Sequence, residues 1–297
     1  MFKKAERKKI KIRIALCGPS GSGKTYSALK IAHGIGGKIA LIDTENGSGS
    51  LYSDLCDYDT AEIAPPFGID KYIAAIKEAE TSGYDVLIID SLTHAWAGQG
   101  GLLEEVDKRA AKSSSHNSYA AWRDVTPMHN RLVDTIIQSK MHIIVTMRSK
   151  TAYEIETNAS GKKVPVKKGM APIQRDGLEY EFTVVLDLDN EKHIAEAGKD
   201  RTGLFDGQVF VPDESTGQQI VEWLESGAEP PQPKVTDIQR RKMFAMSKDA
   251  GMTPDQLKEH IHSTYNVESS NDLTIDQAAE MIDWLQDKIN ECTQGGK

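Results

Sequence analysis

Between positions 18 and 25 the chain reads Gly-Pro-Ser-Gly-Ser-Gly-Lys-Thr, with an apolar run before it and a helical pattern after it. Each residue type in that stretch has a use in holding phosphate. Glycines let main-chain amides close around phosphate oxygens, and the amino terminus of the following helix adds partial positive charge. Lys24 is placed to reach the β and γ phosphates of a nucleoside triphosphate, and the Thr25 hydroxyl to ligate Mg²⁺. Strand, loop and helix in this order make a P-loop. Gly18, Pro19, Ser20, Gly21, Ser22, Gly23, Lys24, Thr25 and the adjoining Tyr26 are therefore assigned to nucleotide binding, with ATP and Mg²⁺ as cofactors. The competing reading is a glycine-rich turn that happens to fit the pattern.

Two acids extend the assignment. Val86-Leu-Ile-Ile-Asp90 is an apolar run ending in a carboxylate, and ligands of doubly wound sheets collect at strand carboxyl ends, so Asp90 is predicted to be the magnesium-side acid. Ser91 follows it instead of a second acid, so the group that activates water must come from elsewhere. A second run, Lys38 to Asp43, continues into Thr44-Glu45 at the same edge, where Glu45 is placed to polarise a water. The alternative is a solvated loop acid. His94, His116, His129 and His142 show no ligand spacing and are read as structural or surface residues.

The elements that must position these residues follow from periodicity. Lys11 to Cys17, Lys38 to Asp43, Val86 to Asp90 and His142 to Thr146 are short β-branched or aliphatic runs, separated by helical patterns such as Tyr26 to Gly34 and Ile69 to Thr81. That alternation predicts βαβ units around a parallel sheet. Thr183 to Leu188 and His193 to Ala197 flank a turn-rich joint and predict an antiparallel hairpin finishing the sheet. Ser226 to Val235 is rich in Pro, Gly and polar residues and reads as a linker, dividing a core at 1–225, with a basic arm at 1–10, from a helical domain at 236–297. In that domain Thr253-Pro-Asp-Gln256 and Thr274-Ile-Asp-Gln277 match the capping box. Phe244, Leu257, Ile261, Ile282, Trp284 and Leu285 are expected to form its core.

Composition bounds the class. The 297 residues are 39% hydrophobic and 27% charged, enough apolar side chain for a globular core. The net charge of -8 is uneven: residues from Asp213 onward hold 16 acidic and 8 basic side chains, while the first 212 are balanced, with local basic runs. Three cysteines without a CxxC support neither disulfides nor a zinc site and fit a reducing cytoplasm. The apolar runs are too short for a signal-peptide core or a membrane span, so no membrane partner is expected.

The P-loop, then Ile-Asp-Thr-Glu45, then Ile-Ile-Asp90-Ser91-Leu, then Ile-Ile-Val-Thr146-Met-Arg148 come in an order that resembles the RecA-like recombination ATPases. It is most similar to the short RecA-core proteins encoded by phages that assist single-strand annealing. The resemblance, over roughly residues 10 to 212, implies an α/β fold: a RecA-like P-loop NTPase core with a mostly parallel central sheet, followed here by a small C-terminal helical domain. It implies an ATPase stimulated by DNA, with single-stranded DNA as partner, assembly into a ring or filament, and a place in the cytoplasm of a bacterial host cell. Glu45 matches the family's catalytic glutamate, Asp90 its Mg²⁺ acid, and Thr146 the residue that senses the γ phosphate, where RecA itself has glutamine.

Gly198-Lys199-Asp-Arg201, placed just after the predicted hairpin, looks like the Lys-x-Arg pair that such proteins insert into a neighbour's ATP site. Lys199 and Arg201 are accordingly expected to act in trans; read by themselves they are also two exposed charges on a turn. The polar segment from Arg148 to Tyr180 carries little helical or strand periodicity and reads as a long loop. In the family the loop after this strand contacts single-stranded DNA, which gives Lys150, Lys162, Lys163, Lys167, Lys168 and Arg175 a DNA-binding role and lets Tyr153 stack a base. A solvated charged loop is the alternative. Ser113 to Arg123, with Tyr119, Trp122 and Arg123, is a second DNA candidate, and its aromatics read equally as core. The carboxy-terminal unit resembles helical tails of phage recombination proteins through Val267-Glu-Ser-Ser270 and Asp272-Leu-Thr274, and is expected to dock an annealing or single-strand-binding protein. Three rival functions share the same loop: a small-molecule or nucleotide kinase, a nucleotide-gated interaction module without turnover, and a DNA packaging motor, which the absence of an acid after Asp90 disfavours.

Overall fold

The computed structural model describes residues 4, 6–112, 117–157, 163–228 and 234–294, with the backbone alone described at 153, 154, 156, 157, 164–168 and 291–294. The chain divides into two compact units, Met1–Ala228 and Glu229–Lys297. In the first, β1 (Arg13–Gly18) leads through the glycine loop into α1 (Lys24–Ile35), followed by β2 (Ile39–Asp43), a 3-10 turn at Ser48–Tyr52 and β3 (Asp59–Glu62). Then come α2 (Ile69–Thr81), β4 (Val86–Asp90), α3 (Thr93–Ala97), α4 (Leu102–Lys112) and α5 (Ser118–Gln138). β5 (His142–Thr157), β6 (Lys163–Pro172), β7 (Val184–Leu188), β8 (Ala195–Asp200), β9 (Val209–Phe210) and α6 (Glu214–Glu225) complete the unit.

The nine strands form one sheet in the order β3-β2-β4-β5-β1-β7-β8-β9, with β6 paired to β5. From β3 to β7 every neighbouring pair is parallel, while β8 and β9 are antiparallel additions. Both faces of β1, β2 and β4 are covered, which is why these strands read as nearly unbroken apolar runs. The edge strand β3, Asp59-Thr-Ala-Glu62, is exposed along its length and carries no such signal. Ile14, Leu16, Leu41, Ile88 and Ile144 pack toward α1 and α6, and the alternate residues Ala15, Cys17, Ile42, Ile89 and Val145 pack with residues of α2 and α5. A sheet between two helical layers results: an α/β P-loop NTPase core. α1 and α6 touch closely enough that only glycine fits, since a Cβ at Gly217 would collide with the carbonyl of Ile31 and one at Gly34 with that of Glu214. Arg13, 6% exposed, donates to the carbonyls of Ile137, Ser139 and Met141 and so ties the end of α5 to β1.

Strand ends bring the chemistry together. The register pairs Asp43 with Asp90 and Gly18 with Arg148, so the carboxyl edge of β2, β4, β5 and β1 carries all four. β5 does not stop there. It continues to Thr157 and returns as β6, pairing antiparallel from Ser149↔Pro172 to Thr157↔Lys163. The loop expected between Arg148 and Tyr180 is therefore largely a two-stranded ribbon. The segment is rich in charged residues and its register shifts between Ala152 and Tyr153, so no unbroken apolar alternation announces the strand in the sequence.

The antiparallel finish is present, with its second strand beginning at Ala195 and reaching Asp200. Lys199 consequently lies inside β8, not beyond it. In the second unit α7 (Asp237–Asp249), α8 (Pro254–Tyr265) and α9 (Ile275–Gln294) pack on one another. Capping boxes open all three, at Thr236/Gln239, Thr253/Gln256 and Thr274/Gln277. Leu257, Ile261, Ile282 and Leu285 are buried as expected, and Trp284 packs at the margin. Phe244 is not in the core: it is 47% exposed, and Met243 and Met246 of the same helix face inward instead.

Candidate active site

The glycine loop turns where only glycine is comfortable. Gly21 and Gly23 have φ of 79° and 82°, and Gly23 is the residue on which α1 begins. A Cβ on Gly18 would approach the Leu188 carbonyl to 2.7 Å, so the loop is pressed against the end of β7. The first amides of α1 thus open at the sheet edge with the helix dipole behind them. Lys24 Nζ folds back over the loop, donating to the carbonyls of Gly18 at 3.0 Å and Pro19 at 2.7 Å. Burial pulls its pKa down, while the charges of Asp90 and Glu45 oppose that shift.

Asp90 is 3% exposed and receives two hydroxyls: Thr25 Oγ1 donates to Oδ2 at 2.6 Å and Thr146 Oγ1 to Oδ1 at 2.5 Å. Burial raises its pKa, and the two hydroxyl bonds work against the rise. Thr146 is itself fully buried, so its proton is engaged by Asp90 and it acts in this structure as a holder of that carboxylate. Thr25 and Asp90 offer a hydroxyl and a carboxylate side by side, the oxygen donors that a hard divalent cation takes while keeping several waters. They fit Mg²⁺, whose charge would polarise phosphate oxygens and make the Asp90 carboxylate easier to ionise.

Glu45 stands on a turn fixed by Asp43, whose carboxylate accepts from Glu45 N at 2.6 Å and Gly49 N at 2.7 Å. Its own carboxylate is gripped by Arg148 through both oxygens: Nε donates to Oε1 at 3.0 Å and Nη2 lies 2.7 Å from Oε2. Burial pushes the Glu45 pKa up, but the hydrogen bonds and charge of Arg148 outweigh it, and the net shift is downward. Thr44 Oγ1 lies 2.7 Å from His94 Nδ1 and accepts from Ser91 N, bonding the ends of β2 and β4 to α3. Lys24, Thr25, Glu45, Tyr52, Asp90 and Arg148 share a cavity of about 150 Å³. That is below the roughly 300 Å³ at which whole-ligand pockets begin, a size for the phosphate end of a nucleotide. Tyr26, 43% exposed, sets its ring edge-on to Tyr52 at 6.3 Å.

Lys199 and Arg201 are not brought to this cavity. Lys199 Nζ donates to the carbonyls of Glu179 and Tyr180 at 3.0 and 2.6 Å, and Arg201 to that of Tyr180 at 2.9 Å. Lys199 pairs with Val185 and Asp200 with Val184, so both cations sit where the parallel strands begin. Of the expected DNA-contacting residues, Lys150 lies in β5 and Lys163, Lys167 and Lys168 in β6, while Lys162 is outside the described residues. Arg175 lies apart from the ribbon, with its guanidinium 6.0 Å from the Trp122 ring. Trp122 stacks on Trp96 at 5.5 Å and packs against the core, and Tyr119 is 86% exposed; 113–116 fall outside the described residues. In the basic arm, Arg7 lies over the Trp223 ring and donates to Ser226.

Arg148 and Tyr52 line the cavity and were not assigned to the site from the sequence. A signal for Arg148 exists, because a residue two places after Thr146 on a strand points to the same side and one step nearer the edge. His94, read as structural, also contacts the site through Thr44.

The fold and the loop together define a P-loop nucleotide-binding ATPase. A family model described as an AAA domain matches residues 10–216, and the chain belongs to that family. No curated protein matches it. No helix among the described residues is long and apolar enough to cross a membrane.

Proposed function

We propose that this chain hydrolyses ATP with Mg²⁺ as a RecA-like protein that binds single-stranded DNA as an oligomer and assists phage recombination or annealing in the host cytoplasm. The observation that carries the proposal is the carboxyl edge of the sheet, where Lys24, Thr25, Asp90 and Glu45 meet in one cavity and from which a lysine-bearing ribbon continues. Lys24 and the α1 amides hold and orient the phosphates, Thr25 and Asp90 are the residues that would hold Mg²⁺, and Glu45 is positioned to take a proton from water. The ribbon that continues from this edge carries Lys150, Lys163, Lys167 and Lys168, residues suited to phosphate neutralisation. Lys199 and Arg201, remote from their own loop, suit a neighbour's ATP site, which makes turnover depend on assembly. The helical unit serves as a docking module for an annealing or single-strand-binding protein.

Steady-state ATPase measurements with and without single-stranded DNA test the core of this reading. Lys24→Ala should lose nucleotide binding, and Glu45→Gln should bind ATP but turn over about 10²- to 10⁴-fold more slowly. Wild-type turnover by Glu45→Gln would remove Glu45 as the base. The grip of Arg148 on Glu45 favours a second reading, a nucleotide-gated module that binds without hydrolysing. Binding of ATP with no turnover at any protein or DNA concentration would select it.

A further inference from the structure

Arg148 occupies a position that its ion pair with Glu45 alone does not explain. Its Cα is in register with Gly18, the first residue of the phosphate loop, and its side chain lines the same cavity as Lys24, Thr25 and Asp90. Its backbone is pinned on both sides: the amide donates to Thr93 Oγ1 at 2.9 Å and the carbonyl accepts from Ile173 N at 2.7 Å. Only the long side chain is left to move. Lys24 and Arg148 thus bring two cations to one small cavity, with Glu45 as the carboxylate that Arg148 grips.

A nucleoside triphosphate changes the competition. Its terminal phosphate, brought in by Lys24, presents more negative charge than a carboxylate and an oxygen edge that a guanidinium fork matches with two hydrogen bonds. Thr146 is not free to meet it, since its hydroxyl is already given to Asp90 and it has no exposed surface. We propose that Arg148 is a further nucleotide-binding residue that exchanges partners, leaving Glu45 for the terminal phosphate of a bound triphosphate and thereby freeing the Glu45 carboxylate to face water. The inference rests on the hydrolytic reading of Glu45 for its consequence, but the phosphate contact stands independently of it. Because the Arg148 carbonyl closes the base of the β5–β6 ribbon, the exchange takes place at the point where ribbon and cavity join.

The test is the ratio of affinities for ADP and for a non-hydrolysable ATP analogue, both with Mg²⁺, measured by calorimetry on the full chain. Arg148→Ala should weaken the analogue about tenfold to a hundredfold, the range for a charged hydrogen bond, and leave ADP unchanged. Arg148→Lys should recover part of the loss. Equal weakening of both nucleotides, or an unchanged ratio, would overturn the proposal. Should Arg148→Ala fail to fold, Glu45→Gln gives the same answer from the other side. With no carboxylate holding Arg148, the analogue should bind several-fold tighter and ADP as before; no change in the ratio counts against the exchange. If Glu45→Gln also hydrolyses ATP at the wild-type rate, the base assignment falls while the affinity ratio still decides the role of Arg148.

Discussion

Asp90 shows at the residue scale how a buried acid is kept ready. Nearly excluded from water, its carboxylate is oriented by two threonine hydroxyls, one of them on Thr25, the residue that with Asp90 would hold Mg²⁺. His142 shows the opposite device. Its Nδ1 accepts from the Ile12 amide at 3.2 Å, and burial, with Lys11 and Arg13 nearby and only Asp85 opposing, lowers its pKa to about 4. The folded value lies below the 6.5 of a free imidazole, so on acidification the unfolded chain takes up the proton first and stability falls between pH 6.5 and 4. Between pH 7 and 5 the loss from this group should be about 2 kcal/mol. Urea midpoints at the two pH values check it: His142→Gln should show a shallower fall than wild type, and an equal fall would take His142 out of the account.

At the scale of elements, the proposed contact with DNA falls on the ribbon. β5 is one strand with two employments, its first half a central member of the parallel sheet and its second half one side of the ribbon. Nine residues of ribbon at roughly 3.4 Å each extend about 30 Å past the sheet edge. Replacing Lys150, Lys163, Lys167 and Lys168 by Ala should weaken binding to single-stranded DNA. It should also flatten the dependence of affinity on salt by about 0.7 in log–log slope for every phosphate no longer neutralised. Unchanged affinity and slope in a filter-binding salt series would exclude the ribbon as the DNA-binding element.

For the whole molecule, the phosphate loop and the proposed trans-acting pair fall at opposite ends of the sheet. The phosphate loop lies at the carboxyl ends of the parallel strands, whereas Lys199 and Arg201 lie at the other end of β7, about 16 Å away along a five-residue strand. Such a pair does not reach its own loop, so the direct contact with phosphate proposed for it would be made in a second copy. Arg201→Ala protein alone and Glu45→Gln protein alone should each be nearly inactive, and mixing them should restore activity at intermediate ratios. A mixture no more active than its components would mean that the pair is structural, holding the turn at Leu178–Glu181 through its carbonyls.

The glycine loop, every parallel strand except the exposed β3, and the capping boxes at Thr253 and Thr274 were legible from residue types alone. Each is a local device: glycine for a left-handed turn, a β-branched run for a covered strand, a threonine and glutamine three apart for a helix start. The partners of the site residues were not legible, because they come from distant segments. Glu45 meets Arg148 and Asp90 meets Thr25 and Thr146 only because the parallel register sets β2, β4, β5 and β1 side by side with their ends level. The polar ribbon and the inward turn of Met243 in place of Phe244 were likewise decided by what packs against them, a quantity that no single stretch of chain contains.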